Sequence, residues 1–336
     1  MQDNYGHQIT YLRVSITDRC NERCHYCMPD ELQEWLPRQD ILSYEEILRV
    51  IRVGAGIGIR KVRITGGEPL TRRDVLHFFG ELQQIEGVDD IGVSTNGTLL
   101  ATDPKSDGRS MAQHLVDRGV RTANISLDTL DPDIYRQTTG RDYFDRVMAG
   151  IEAAHAAGFE KIKINAVLML GSSEEQLLPL IHFAKEHELL LRFIELMPVS
   201  TQDVLHEDRF LAAAKARKLI EATTGPLTPR PEFKTNGPAS YYEIPDSESQ
   251  LIGFIGAMTN LHFCETCNKL RLTCDGKLRP CLGSYLEFDF KEVLRKPDVT
   301  DDEIAAFFRH VVDRKPKEHD FRNDYKPNRK MIAIGG

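Results

Sequence analysis

Apolar residues alternate with polar ones in a series of short runs along the chain. Leu12, Val14 and Ile16 interleave with Arg13, Ser15 and Thr17, and a period of two puts such sets on opposite faces of a strand. The split recurs where Lys61, Arg63 and Thr65 oppose Val62 and Ile64, where Asn124, Ser126 and Asp128 oppose Ile125 and Leu127, and where Lys161, Lys163 and Asn165 oppose Ile162 and Ile164. Strands are predicted over Tyr11–Thr17, Lys61–Thr65, Asp90–Ser94, Arg121–Asp128, Lys161–Leu168 and Leu191–Leu196, with helical patterns between them. Helix starts are predicted where Ser43 precedes Glu46, Ser172 precedes Glu175 and Thr300 precedes Glu303, each at capping-box spacing.

Six βα units with right-handed crossovers give parallel strands. Strands of a doubly wound open sheet, the competing layout, bury both faces and read as nearly continuous apolar runs. One polar face per strand instead predicts an α/β fold built as a partial (β/α)6 TIM-like barrel, open on one side, with helices outside and a wet, basic lumen. Long cationic side chains at strand starts can also simply reach bulk water. Cations from several strands facing one interior repel one another unless an anion offsets them, so a polyanionic ligand is predicted. After about residue 200 the rhythm weakens, and Thr223–Asp246, rich in Pro, Gly, Thr and charge, reads as a linker or irregular excursion. The expected division is a barrel over 1–222 and a C-terminal region over 223–336 that closes the open side. That region carries a helix near Asp301–Arg314, a hairpin turn at Asp275-Gly276 and a terminal Gly335-Gly336, whose bland reading is a frayed end.

The 336 residues, 41% hydrophobic and 28% charged, belong to a globular protein with ample core. No apolar stretch approaches bilayer length, and the N-terminus MQDNYGHQIT lacks a basic region followed by an apolar one, so neither membrane spanning nor secretion is expected. A net charge of -8 argues against a general nucleic-acid binder but leaves room for a local basic pocket. The seven cysteines fall at 20, 24 and 27 and then at 264, 267, 274 and 281. Two tight groups read as two metal sites in a reducing cytosol rather than as a disulfide framework.

Cys20, Cys24 and Cys27 follow the first strand, where barrel chemistry collects. Zinc with His25 as fourth ligand is one reading; a four-iron cluster on three thiolates, leaving one iron open for substrate, is the other. The run CNERCHYC over residues 20–27 together with TGGEP over 65–69 resembles the radical S-adenosylmethionine (SAM) superfamily. The glycines of TGGEP suit close backbone approach to a ligand, or simply a tight turn. The resemblance implies that the open iron chelates SAM and that an electron from the cluster cleaves it to a 5′-deoxyadenosyl radical.

For Cys264, Cys267 and Cys281, a zinc ribbon completed by Cys274 is the default reading. Taken together, YLRVSITDRC, KVRITGGEPL, STNG, NISLD, RFIELMP, FCETCNKLRL, DGKLRPCL and the terminal Gly-Gly resemble the GTP 3′,8-cyclase family of molybdenum cofactor biosynthesis over nearly the whole chain. The resemblance implies a lyase with two [4Fe-4S] clusters, held by Cys20, Cys24 and Cys27 and by Cys264, Cys267 and Cys281. It also implies SAM contacts at Tyr26, Gly67, Ser126 and Met197. GTP contacts are implied at Arg13, Arg63, Ser94, Lys163, Lys269 and Arg271, with Arg192 close by, and a tail whose Gly335 and Gly336 reach the reaction. The implied chemistry removes hydrogen from C3′ of the ribose and joins that carbon to C8 of guanine. A low-potential donor such as flavodoxin or ferredoxin and the next enzyme, cyclic pyranopterin monophosphate synthase, are the implied partners. Monomer and homodimer both stay open.

Three features depart from the family pattern. Lys269 stands where an arginine is usual, keeping the charge but losing the planar fork. Asp103–Arg109 is a longer connection, read as surface decoration, and Cys274 is read as a bystander thiol. The rival readings are a peptide-modifying radical SAM enzyme and a zinc-stabilised nucleotide-binding module without catalysis.

Overall fold

The computed structural model describes residues 1–28, 35–199, 207–245, 249–323, 325 and 329–335. Strands β1 (Tyr11–Ser15), β2 (Lys61–Thr65), β3 (Asp90–Thr95), β4 (Val120–Ser126), β5 (Lys161–Leu168) and β6 (Leu190–Glu195) lie side by side in chain order, all parallel. They match the six predicted runs closely. The alternation has the predicted result. Leu12, Val14, Ile64 and Ile164 are sealed in the layer between sheet and helices, each such side chain contributing about 1.5–3 kcal/mol by leaving water, while Arg13, Arg63, Asn124 and Lys163 face the other side.

The sheet is longer than the six units. Later strands are β7 (Thr228–Pro229), β8 (Ser240–Glu243), β9 (Leu251–Ile255), β10 (Lys269–Leu272), β11 (Lys277–Arg279) and β12 (Phe288–Asp289). The order across the sheet is β12-β11-β10-β1-β2-β3-β4-β5-β6-β9-β8-β7, an open strip rather than a closed ring. β9 adds to β6 and β10 adds to β1, both in parallel. The expected boundary after residue 222 falls within the helix Ala213–Thr224, and one hydrogen-bonded sheet takes strands from both sides of it. Within Thr223–Asp246, read from sequence as irregular, the short strands β7 and β8 form the far edge.

Two of the three predicted capping boxes form, ahead of the helices Tyr44–Gly56 and Asp301–Val312. The third does not. A short 3-10 turn at Glu174–Gln176 precedes the helix Leu177–Glu186, and Ser172 caps nothing. The neighbouring Ser173 hydroxyl accepts from the Met169 amide at 2.9 Å and donates to the Val167 carbonyl at 3.2 Å, tying the loop to the end of β5, a competition with helix starts to which serine is prone.

Candidate active site

The polar faces of β1 to β6 surround a cavity of about 360 Å³, and both cysteine groups open onto it. All seven cysteines are free thiols. Cys20, Cys24 and Cys27 sit in a loop directly after β1, turned tightly by amides of Cys27 and Met28 that both donate to the Cys24 carbonyl, at 2.9 and 2.8 Å. This loop leans on the TGGEP segment. The amides of Gly67 and Glu68 donate to the carbonyls of Thr17 and Arg19, each at 2.8 Å. A Cβ on Gly66 would stand 2.5 Å from the Thr17 oxygen, and one on Gly67 would stand 2.3 Å from that of Arg19. The glycines thus let two backbone segments touch, and the close approach is first of all to the cysteine loop itself.

Carboxylates crowd this first group. Glu22 accepts from the Tyr135 hydroxyl and faces the Cys24 thiol, Sγ to Oε2 3.8 Å. Glu68 accepts from Leu70 and Asn96 amides and the Thr95 hydroxyl, and Asp128 accepts from the Tyr26 hydroxyl at 2.8 Å. Burial lifts the Glu22 and Glu68 carboxyls to about 7 and Asp128 to about 6. Burial, with Glu22 nearby, also pushes the Cys24 thiol far up and Cys27 to about 12. A cationic group placed here would relieve both effects.

The second group has opposite surroundings. Cys267 is partly buried, which alone would raise its thiol, yet the ammonium groups of Lys315 and Lys269 hold it below its ordinary value. Arg271 lies within the same wall, its guanidinium pushed down to about 9 by burial and by Arg13. Cys274, fully buried, does not reach the cavity; its Sγ lies 3.9 Å from the Ala333 carbonyl, under the C-terminal tail.

Between the groups lies the cationic stripe predicted from alternation, made of Arg13, Arg63, Lys163, Arg192, Lys269 and Arg271. Lys161, expected on the same face, is solvent-exposed at the strand start and stands outside the cavity. Arg63 directs its donors to the protein, to the Tyr11 hydroxyl (2.7 Å), the Val93 carbonyl (3.0 Å) and the Thr122 hydroxyl (2.8 Å). Arg192 grips the Asn165 carbonyl oxygen with Nε and Nη2, at 3.0 and 2.6 Å. Burial, then Arg192 and Arg63, force the Lys163 ammonium down to about 7. The buried Ser94 Oγ and Asn124 Oδ1, on residues lining the same cavity, find no hydrogen-bond partner among the described residues.

The tail is ordered against this wall. Gly335, in the left-handed region at φ 82°, accepts from Arg271 Nη1 at 2.8 Å, and a Cβ on it would stand 2.7 Å from Thr65 Cγ2. Gly336 lies outside the described residues. Arg329 anchors the approach by a two-pronged pair with Asp275, at 2.9 and 2.8 Å, and by a 2.8 Å contact to Glu287. The frayed-end expectation therefore gives way to a docked tail.

The donor set tests which inorganic group fits. Zinc draws its ligands to one point at about 2.0–2.3 Å, and among the described residues no three His, Cys, Asp or Glu side chains are so gathered. His25 has Nδ1 against the Thr138 carbonyl at 3.2 Å, and it does not line the cavity. Two sets of three separate thiols facing one cavity suit bulkier clusters that bring their own sulfide and keep one iron for another ligand.

All the predicted site residues within the described part, from both cysteine sets to Tyr26, Gly67, Ser126 and Met197, line the cavity, except Gly335, which packs against its wall. Glu22, Glu68 and Lys315 are not singled out by the sequence, and Asp128 is placed only on the polar face of its strand. For Glu22 and Glu68 a signal existed, since they stand inside the two motifs; Lys315 stands in an unremarkable polar stretch.

Comparison with known proteins gives concordant results. Residues 14–184 match the Radical SAM superfamily and residues 189–321 match Molybdenum Cofactor Synthesis C. The chain is 42% identical over 340 residues to a GTP 3′,8-cyclase from Thermodesulfovibrio yellowstonii, covering 100% of both, and 42% identical over 336 residues to one from Moorella thermoacetica, again covering 100% of both. Among solved structures it resembles Streptococcus suis SuiB bound to S-adenosylmethionine, with a TM-score of 0.60 at 18% identity over 90% of this chain and 69% of that one. That likeness speaks for the fold.

Proposed function

The chain belongs to the GTP 3′,8-cyclase family of radical SAM proteins, and from that premise we propose how its residues divide the work of cyclising GTP, the first step of molybdenum cofactor biosynthesis. Cys20, Cys24 and Cys27 hold one [4Fe-4S] cluster and Cys264, Cys267 and Cys281 the other. With SAM bound, the first cluster would supply 5′-deoxyadenosyl radical chemistry for hydrogen removal at C3′ of the ribose and closure of that carbon onto C8 of guanine.

The chain's own part is placement. Tyr26, Gly67, Ser126 and Met197 seat SAM beside the carboxylates, whose charge suits its sulfonium and amino groups. Arg13, Lys163, Lys269 and Arg271, supported by Arg63 and Arg192, seat the triphosphate; Ser94 offers its unpartnered hydroxyl to the nucleotide. Gly335, held by Arg271 against Thr65, shields that side of the wall from water, and Gly336 is assigned to the reaction with it by the family resemblance. The observation that carries this reading is one cavity with thiols and carboxylates on one part of its lining and thiols and cations on another. The 1–222 and 223–336 parts act as one unit, because β9 and β10 extend the barrel's own sheet.

One electron is needed to cleave SAM and a second, with a proton, to complete the cyclised nucleotide; a flavodoxin or ferredoxin can supply them, and the product passes to a cyclic pyranopterin monophosphate synthase. No helix among the described residues is long and apolar enough to cross a membrane. Seven free thiols suit a reducing cytoplasm, where the enzyme works as a monomer or homodimer. The test is anaerobic reconstitution followed by SAM, a strong reductant and each nucleoside triphosphate in turn. GTP alone should drive fast 5′-deoxyadenosine formation, with deuterium transferred from 3′-labelled GTP. Equal rates with ATP, or unlabelled deoxyadenosine, would overturn the assignment.

A further inference from the structure

Lys315 lies just beyond the helix Asp301–Val312 and is only 4% exposed. Burying an ammonium costs several kcal/mol unless opposite charge and hydrogen bonds offset it. Among the described residues no carboxylate pairs with it. Its Nζ instead donates to the Lys269 carbonyl at 3.1 Å and to the Pro280 carbonyl at 2.5 Å, and its charge favours the Cys267 thiolate. These partners have meaning in the chain. Lys269 follows Cys267 by two residues, and Pro280 immediately precedes Cys281, so one ammonium fastens both backbone arms of the C-terminal thiol set. The following residues continue the strap. The Asp320 amide donates to the Gly283 carbonyl at 2.7 Å, two residues past Cys281.

We propose that Lys315 is a positioning residue for the C-terminal cluster: it fixes the spacing of the Cys267 and Cys281 arms, and its buried charge is balanced by the cluster thiolates rather than by any carboxylate. The proposal rests on the reading that these three cysteines hold a four-iron cluster. Hydrogen bonds to cluster sulfur and nearby charge tune stability and potential, and partners outside the ligand shell commonly matter about 10- to 100-fold in metal affinity.

The test uses the full chain carrying Cys20→Ala, Cys24→Ala and Cys27→Ala, so that only the C-terminal cluster is present. Its iron and sulfide content, its loss of iron to a chelator and its midpoint potential are compared with and without changes at Lys315. Lys315→Met should release iron about tenfold faster and move the midpoint to a more negative value. Lys315→Gln, which keeps donors but not charge, should hold iron nearly as well as the parent yet shift the midpoint in the same direction. In the chain with all six ligand cysteines, the N-terminal cluster should be unaffected by Lys315→Met, which reports an intact fold. Unchanged iron release and unchanged midpoint in both Lys315 variants would overturn the proposal while leaving the cluster assignment in place. A parent that binds zinc, or no iron with sulfide, would overturn the cluster reading and the proposal together.

Discussion

The two cysteine triplets use the same ligand chemistry in opposite electrostatic surroundings. Around Cys20, Cys24 and Cys27 stand Glu22, Glu68 and Asp128, and every thiol is pushed up. Around Cys264, Cys267 and Cys281 stand Lys269, Arg271 and Lys315, and Cys267 is pulled down, while burial still raises Cys264 and Cys281. On the proposed function, such a gradient sorts the occupants by charge, the cationic sulfonium to one end and the triphosphate to the other. The chain's net charge of -8 conceals this arrangement, because the sorting depends on a few buried groups.

The contrast is broken most severely by removing ligands. Cys20→Ala should abolish both SAM cleavage and cyclisation. Cys281→Ala should lose about half of roughly eight irons per chain and all cyclisation, while retaining slow SAM cleavage. Cys274→Ala should keep the iron and the activity, since that thiol lies under the tail; iron analysis and deoxyadenosine assays check all three. Loss of C-terminal metal in Cys274→Ala would point to four-thiolate coordination and remove the substrate role of that end.

Deleting Gly335 and Gly336 frees Arg271 from its carbonyl partner and opens the wall beside Thr65. Cyclisation should fall below detection with both clusters and thermal stability retained, and full activity in the truncated chain would reduce the docked tail to a bystander.

A smaller effect is expected at Lys163, set at about 7 by burial and by Arg192 and Arg63, against 10.5 for an ordinary lysine. Between those values the unfolded chain holds a proton that the folded chain lacks, so this residue's contribution to stability rises with pH across that window. Triphosphate binding favours the ammonium and must take up a proton. Calorimetry at about pH 8 in buffers of different ionisation heat should show that uptake, with affinity weakening by up to about tenfold per pH unit above 7. Lys163→Met should lose the uptake; an unchanged value would assign it elsewhere, Lys269 being the next candidate. The smallest effect is expected from Lys269→Arg, which restores a planar fork and should tighten GTP by about fivefold, or about 1 kcal/mol.

Much of this was legible because strand alternation has an unambiguous period. The inward positions of Arg13, Arg63, Ser126 and Lys163 follow from spacing alone, and both cysteine groups announce themselves by clustering. What spacing could not supply is pairing between distant segments. Nothing in the residues 251–255 or 269–272 marks them as extensions of the barrel sheet, and the polar residues 223–246 conceal an edge. Nor does sequence tell which cation meets a ligand and which meets the protein. Arg63 and Arg192 share the lumen with Lys163, but their donors go to Tyr11, Val93, Thr122 and Asn165. Lys315 escaped notice because a lone lysine past a helix end is ordinarily solvated, and only the arrival of the Cys267 and Cys281 arms makes it a buried clamp.

The pairing of β10 with β1 also bears on how the chain is made. Tyr11 leaves the ribosome 258 residues ahead of its sheet neighbour Lys269. Until then the outer edge of β1 presents unpaired amides and carbonyls, the kind of template on which nascent chains associate wrongly. A growing chain halted before residue 269 would carry the complete first cysteine motif and an unprotected strand beside it. Moving the C-terminal hairpin ahead of β1 by circular permutation, joined through the tail that already lies against Ser15, would cover that edge at the start of synthesis and should raise the yield of soluble protein.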